Sequence, residues 1–263
     1  VPERWKAADM LFLEQAIAHL SLNLLPEAAA DLDRALALFE QSNQRYEWGQ
    51  TIYFRALVAL RENAVESARG QLEIAANFFA ELDNHYWHNR VRVAQAVAVY
   101  QAGARDEAAT LLATLIAEAI ASGQDAALTW DLSTRSETVL LALRLALQRD
   151  DKPEARRLVD LAAGWLAAAA PTAAQALYPQ LTLQVLHARG QVARAEGDLP
   201  GARRLFEAAM AALESQRAAL PVEDFRTAFL TDKTAIYADL VLSLLDEPAP
   251  AENAVANAFA IVE

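Results

Sequence analysis

The sequence predicts an all-α protein, a solenoid of consecutive helix hairpins, and three observations predict it. Apolar residues recur at i, i+3, i+4 and i+7 across almost every long window, which is the stripe of an amphipathic helix, and no convincing strand pattern competes. Turn residues interrupt that stripe at comparable intervals. A small residue follows each turn in the same place, and these anchors recur with a period of 40–47 residues.

In chain order, the first hairpin turns at Pro26, after a helix carrying Met10, Leu13, Ile17 and Leu20, and its anchor is Ala28. The second turns at Asn63 and Ala64 before Ala68, and the third at Gly103 before Ala108. Asp150 to Pro153 precede Ala155 in the fourth, and Gly197 with Pro200 precede Ala202 in the fifth. The anchors therefore stand 40, 40, 47 and 47 residues apart. Four positions after each comes a bulky residue: Leu32, Leu72, Leu112, Val159 and Phe206. Three further on stands a small one, Ala35, Ala75, Ala162 or Ala209, with Leu115 the exception. One helix turn separates anchor from bulky residue, so both lie on one face: the small side chain lets two helices approach, and the large one fills the space between neighbouring pairs. A sixth pair is expected in 223–263, with a helix from Phe225 to Leu245, a break at Pro248 and Pro250, and a helix in Ala251–Glu263 whose Val255, Phe259, Ile261 and Val262 either pack weakly back on its predecessor or are buried in a crystal or dimer contact. The domain division is thus five pairs in 1–222 and a sixth in 223–263.

Leu186, Gly190, Gly197, Asp198, Ala202, Phe206 and Ala209 resemble the tetratricopeptide (TPR) repeat: a bulky residue, a glycine, a turn glycine, then small, aromatic and small positions. The resemblance implies a right-handed α-solenoid, or superhelix, of TPR-like helix-turn-helix repeats. The period here exceeds the roughly 34 residues of the standard repeat, so either the helices or the linkers are longer. HEAT repeats share this period, but they carry a proline in the first helix, and only Pro179 comes near that. The run LESQRAALPVEDFRTAFLTDKTAIYADLVLSLL, with Arg217, Phe225, Arg226, Phe229, Lys233, Tyr237 and Leu240, resembles the segment that joins such repeats to a CHAT domain, a caspase-like protease fold of many bacterial proteins. ENAVANAFAIVE is similar to the helix leading into that domain. The resemblance implies that the catalytic His and Cys lie beyond Glu263. Opening at Val1 without Met and stopping inside a helical pattern, the chain reads as part of a longer protein.

Composition narrows the function. With 263 residues, 54% hydrophobic and 22% charged, the chain has the make-up of a folded protein. It contains no cysteine, which excludes disulfides, thiolate metal sites and cysteine nucleophiles within it and makes a cytoplasmic location the default. A net charge of −12 opposes binding to nucleic acid and to anionic membranes. Apolar runs such as Ala162–Ala170 fall short of the ~20 residues a membrane span requires.

Candidate chemistry is sparse. His85 and His88, near Glu81 and Asp83, form an i, i+3 pair without a third spaced ligand; they and Asn84 read as helix-end residues beside Tyr86 and Trp87, which plug a linker. Neighbouring acids such as Asp31 with Asp33 and Asp150 with Asp151 do not face one another across a cleft. No phosphate-binding glycine loop occurs, and no serine stands on a strand-to-helix elbow. No catalytic residue, metal or cofactor is assigned, and the chain reads as not an enzyme.

Arginine is nearly the sole cation, the only lysines being Lys6, Lys152 and Lys233. On the TPR register the inward face of the first helices receives Gln50, Tyr53 and Arg61, then Arg90, Tyr100 and Gln101, then Arg144 and Gln148, then Gln184, His187, Gln191 and Arg194. Two arrangements suit this pattern. In one, the arginines line a groove for an acidic or carboxylate-bearing peptide, using bidentate contacts. In the other, each pairs with an acid on a neighbouring helix. The function expected is a non-catalytic protein-interaction scaffold or sensor arm of a CHAT-type protease. The competing class is a ligand- or inhibitor-binding sensor domain of a bacterial transcription activator or signalling ATPase.

Overall fold

The computed structural model describes residues 3–123, 129–170 and 174–245, and among these every regular element is a helix. The chain divides into two compact units, 1–134 and 135–263. The first holds α1 (Glu3–Ser21), α2 (Leu25–Ser42), α3 (Arg45–Arg61), α4 (Val65–Glu81), α5 (His85–Gln101) and α6 (Arg105–Ala121), each packed on the next in sequence. At the boundary begins α7 (Leu132–Gln148), followed in the second unit by α8 (Lys152–Ala169), the single turn α9 (Ala174–Leu177), α10 (Pro179–Glu196), α11 (Leu199–Ala218), α12 (Glu223–Thr231) and α13 (Thr234–Leu245). There α10 packs on both α8 and α11, and α13 lies against α10 and α11. No described helix is long and apolar enough to cross a membrane.

The turns share one device. Asn23, Asn43, Asn63, Asp83, Gly103 and Gly123 all have positive φ, at 60°, 54°, 59°, 51°, 86° and 52°. They are 20 residues apart. Asn, Asp and Gly are the residues that enter the left-handed region at least cost, and one such residue past a helix end lets the freed carbonyls find donors. At the α3–α4 turn the amide of Asn63 donates to the Leu60 carbonyl at 3.1 Å and that of Ala64 to the Ala59 carbonyl at 2.8 Å. The equivalent long bond recurs at 2.9 Å from Leu24 to His19, Asn84 to Phe79, Asp151 to Ala146 and Asp198 to Ala193. In the second unit Asp150 and Gly197 take the left-handed place, at 56° and 88°.

The expected packing register is the observed one. Ala28, Ala68, Ala108, Ala155 and Ala202 are all 0% exposed. Leu32, Leu72, Leu112 and Phe206 are also 0% exposed and Val159 is 1%, each such burial being worth ~1.5–3 kcal/mol. Leu115, the large residue at a small position, is buried too. Each anchor amide donates to the carbonyl of the residue preceding its helix, as from Ala68 to Ala64 and from Ala202 to Asp198. Gly190 faces Phe206 so closely that a Cβ there would lie 2.5 Å from the ring.

Helices stay at 17 or 18 residues on both sides of the change in period, from α5 through α10 apart from the one-turn α9. The additional residues of the 47-residue steps therefore fall in the connections, 122–131 and 170–178, and not in longer helices. The single helix expected over Phe225–Leu245 is two, broken at Asp232 and Lys233. At the break the buried Lys233 ammonium donates to the Phe229 carbonyl at 2.9 Å and sits 4.1 Å from the Phe229 ring centre, closing the end of α12. The break at Pro248 and Pro250 and the helix expected in Ala251–Glu263 lie outside the described residues.

Ala202→Leu should overpack the α10–α11 contact and destabilise by ~1–3 kcal/mol, lowering the melting temperature. Ala211→Leu, on the exposed side of the same helix, should leave it unchanged.

Candidate functional site

The polar residues of the first helices, those that open each hairpin, divide by what the fold does with them. Tyr53 is 5% exposed and belongs to the core: its ring lies 5.5 Å from Trp87 and 5.2 Å from Phe54, so it is no groove residue. Gln50 and Tyr100 are half-buried, and Gln101, Gln148 and Gln184 are exposed. In the first helix of the chain, Leu13 and Leu20 are buried while Met10 and Ile17 are half-buried beside them.

Three of the four arginines are held by their own chain. Arg61 Nη1 donates to the Leu20 carbonyl at 2.6 Å, tying the end of α3 to the end of α1. Arg90 packs against three aromatic faces, 5.5 Å from the Tyr53 centroid, 5.7 Å from Tyr86 and 5.1 Å from Trp87. Its Nη1 donates to Asp131 Oδ2 at 3.0 Å and to the Tyr86 hydroxyl at 3.3 Å. Burial works against this cation, but Tyr53, Asp131 and Tyr86 outweigh it and raise the pKa. Burial likewise opposes the Asp131 charge, yet bonds from the Thr134 hydroxyl and amide, together with Arg90, hold its pKa below the ordinary value.

The third arginine shares an acid with two other predicted residues. His187 Nε2 lies 2.7 Å from Asp239 Oδ2, Gln191 Nε2 donates to the same oxygen at 2.9 Å, and Arg194 Nη1 stands 3.6 Å from Oδ1. Burial raises the Asp239 pKa, but the His187 and Gln191 bonds with the His187 and Arg194 charges outweigh it, so the net shift is downward. This cluster fastens α13 to α10. Arg144 differs: it is exposed on α7, and no described acid forms an ion pair with it.

Several of these bonds join residues 40 or 41 positions apart. Trp87 Nε1 to the Tyr46 hydroxyl, Arg61 to Leu20 and Arg90 to Asp131 each cross 41 positions. Asn89 to the Thr129 carbonyl and Arg156 to Glu196 cross 40. A polar side chain here finds its partner in the neighbouring hairpin. Sequence reading missed Asp131, Asp239 and Tyr46, although for Tyr46 the 40-residue period of that part of the chain was itself the signal.

At the histidine pair, Asn84 caps α5 by accepting the Trp87 amide at 3.1 Å, and the Trp87 ring is buried against Phe79. His85 stays exposed, 3.2 Å from Asp83. The His88 pKa is lowered by burial first and then by Arg92 and His85. Among the described residues no group of three or more His, Asp and Glu side chains is placed to hold a metal ion.

No protein-family model matches the chain, and no curated protein matches it either. The described residues define an all-α protein of consecutively packed helices, repeating on a 20-residue step in its first unit.

Asp239→Asn should weaken the docking of α13 by ~1–3 kcal/mol, seen as faster hydrogen exchange in 234–245 while α8 is unaffected. The Asp239 pKa is depressed on folding, so its contribution is complete above the unfolded value of 3.8 and is lost as pH falls through the lower folded value. The gap between parent and variant should therefore be widest at neutral pH and close below about pH 4.

Proposed function

We propose that the chain is a non-catalytic protein-interaction scaffold, a right-handed solenoid of TPR-like repeats that serves as the sensor arm of a CHAT-type protease in the bacterial cytoplasm. Stacked helix pairs offer an extended inward surface built from their first helices. The anchors, the left-handed turn residues and the bonds that join α1 to α3 and α3 to α5 at 41 positions support the repeat reading. The same first helices carry the binding surface, and its partner is an acidic protein segment.

Arg144 carries this reading. At neighbouring first helices the arginine is consumed within the chain, by Leu20, Asp131 or Asp239. Arg144 stands exposed without an ion pair among the described residues, and Gln148 lies one turn along α7 from it. In a chain of net charge −12, an uncommitted guanidinium is suited to a carboxylate brought by a partner. On this reading the binding surface centres on Arg144 and includes the exposed Gln148 and Gln184 of the same unit. No catalytic residue, metal or cofactor belongs to this reading, and the protease residues stand outside the chain.

The long repeat favours a second reading, the ligand- or inhibitor-binding sensor domain of a transcription activator or signalling ATPase, because helical repeats longer than the ~34-residue standard are used there.

Fluorescence anisotropy with an array of acidic, neutral and basic peptides tests the proposal. Acidic peptides should bind in a salt-sensitive manner, and Arg144→Glu should cost about tenfold or more in affinity, ~1.4 kcal/mol, without changing the melting temperature. Equal binding of all three peptide classes, or an unchanged affinity in Arg144→Glu, would remove the basis of the assignment.

A further inference from the structure

The second helices of the hairpins share one register, so each is a control for the others. Beyond its anchor alanine, α2 exposes Asp33, Arg34 and Glu40, and α4 exposes Arg69, Glu73 and Glu81. In the second unit α8 exposes Arg156, Arg157 and Asp160, and α11 exposes Arg204 and Glu207. On α6 the exposed side chains beyond Ala108 include Thr110, Leu111, Thr114, Ala117, Ile120 and Ala121, and none is charged.

What polar capacity α6 has is already spent. The Thr110 hydroxyl donates to the Asp106 carbonyl at 3.0 Å and that of Thr114 to the Thr110 carbonyl at 3.1 Å, so neither needs an outside partner. Glu118, the one acid in this stretch, is held by both terminal nitrogens of Arg92, at 2.5 and 2.9 Å. That pair keeps the Glu118 pKa below its ordinary value, so the acid stays committed to α5. Leu111 and Ile120 remain 39% and 50% exposed.

We infer that this face of α6 is the surface through which two copies of the chain associate. Two chains of net charge −12 repel each other, and a face that brings no like charges together is where contact costs least. The face is also complementary to itself. Thr110, Thr114, Ala117 and Ala121 stand at i, i+4, i+7 and i+11, forming one stripe along the helix. Two such helices crossing antiparallel about a two-fold axis between Leu115 and Ile116 set Leu111 opposite Ile120, Thr114 opposite Ala117 and Thr110 opposite Ala121. Small side chains in the middle allow close approach, and a branched side chain from each copy covers both ends. A two-fold contact of this kind closes on itself and stops at the dimer. One helix pair falls short of the ~800 Å² per partner of a standard interface, so the dimer is weak and depends on concentration. Salt screens the repulsion of the acidic bodies and tightens it.

Sedimentation velocity from low micromolar to several hundred micromolar, at low and high salt, tests the inference. The parent chain should shift from monomer to dimer with concentration, and further at high salt. Ala117→Glu should be monomeric throughout with unchanged circular dichroism and melting. Ala37→Glu, at the same register on the charged face of α2, should dimerise as the parent does. Because the chain has no cysteine, a mixture of Thr114→Cys and Ala117→Cys proteins should form a disulfide between copies severalfold faster than either protein alone. A parent monomeric under all conditions, a dimer that survives Ala117→Glu or is equally lost in Ala37→Glu, or a mixture no faster than its components would overturn it.

Discussion

Everything in this architecture depends on one alanine per hairpin. Ala28, Ala68, Ala108, Ala155 and Ala202 are each sealed from solvent at the point where a second helix leaves its turn. A larger side chain there would hold the helices apart, and the bulky residue one turn later would lose the neighbours that bury it. In the fifth hairpin the requirement reaches the opposite helix, where Gly190 leaves room for the Phe206 ring. The core is accordingly a series of local clusters between successive helices, such as that joining Leu13, Leu32, Phe39 and Val58.

Turn geometry sets the rhythm around those contacts. A left-handed Asn, Asp or Gly ends each helix of the first unit after the same number of residues, so every helix there has nearly the same length. Equal helices meet their neighbours at equivalent heights, so Tyr46 at the start of α3 meets Trp87 at the start of α5 and Arg61 at the end of α3 meets Leu20 near the end of α1, each 41 positions apart. Where the period lengthens, α7, α8 and α10 keep 17 or 18 residues and the connections absorb the additional ones. From α2 to α8 the helix, and not the repeat length, is the constant dimension of the packing.

Those recurring bonds explain how the polar residues of the first helices are used. A side chain at the junction of two hairpins is partly removed from water and must find a partner there. Arg90 finds Asp131 and an aromatic cage, and His187, Gln191 and Arg194 find Asp239. Such residues look like a binding groove when one hairpin is read at a time. Their partners come from the neighbouring hairpin, whereas Arg144 stands exposed without an ion pair among the described residues.

Helix content, the hairpin turns and the anchor register were legible in the sequence because each is written locally, as a 3.6-residue stripe, a turn residue and a small side chain at fixed spacing. The left-handed turns at Asn23, Asn43 and Asp83 were equally local and went unread because asparagine and aspartate are also common on helix surfaces. The break before Thr234 escaped because the apolar stripe runs on through it, and the Lys233 side chain that closes the end of α12 there leaves no mark in the periodicity. The burial of Tyr53 and the pairing of Arg61, Arg90 and Arg194 were decided by tertiary structure alone. Sequence spacing places a side chain on a helix face, but whether water or a neighbouring helix meets that face depends on the angle and height at which the next hairpin docks.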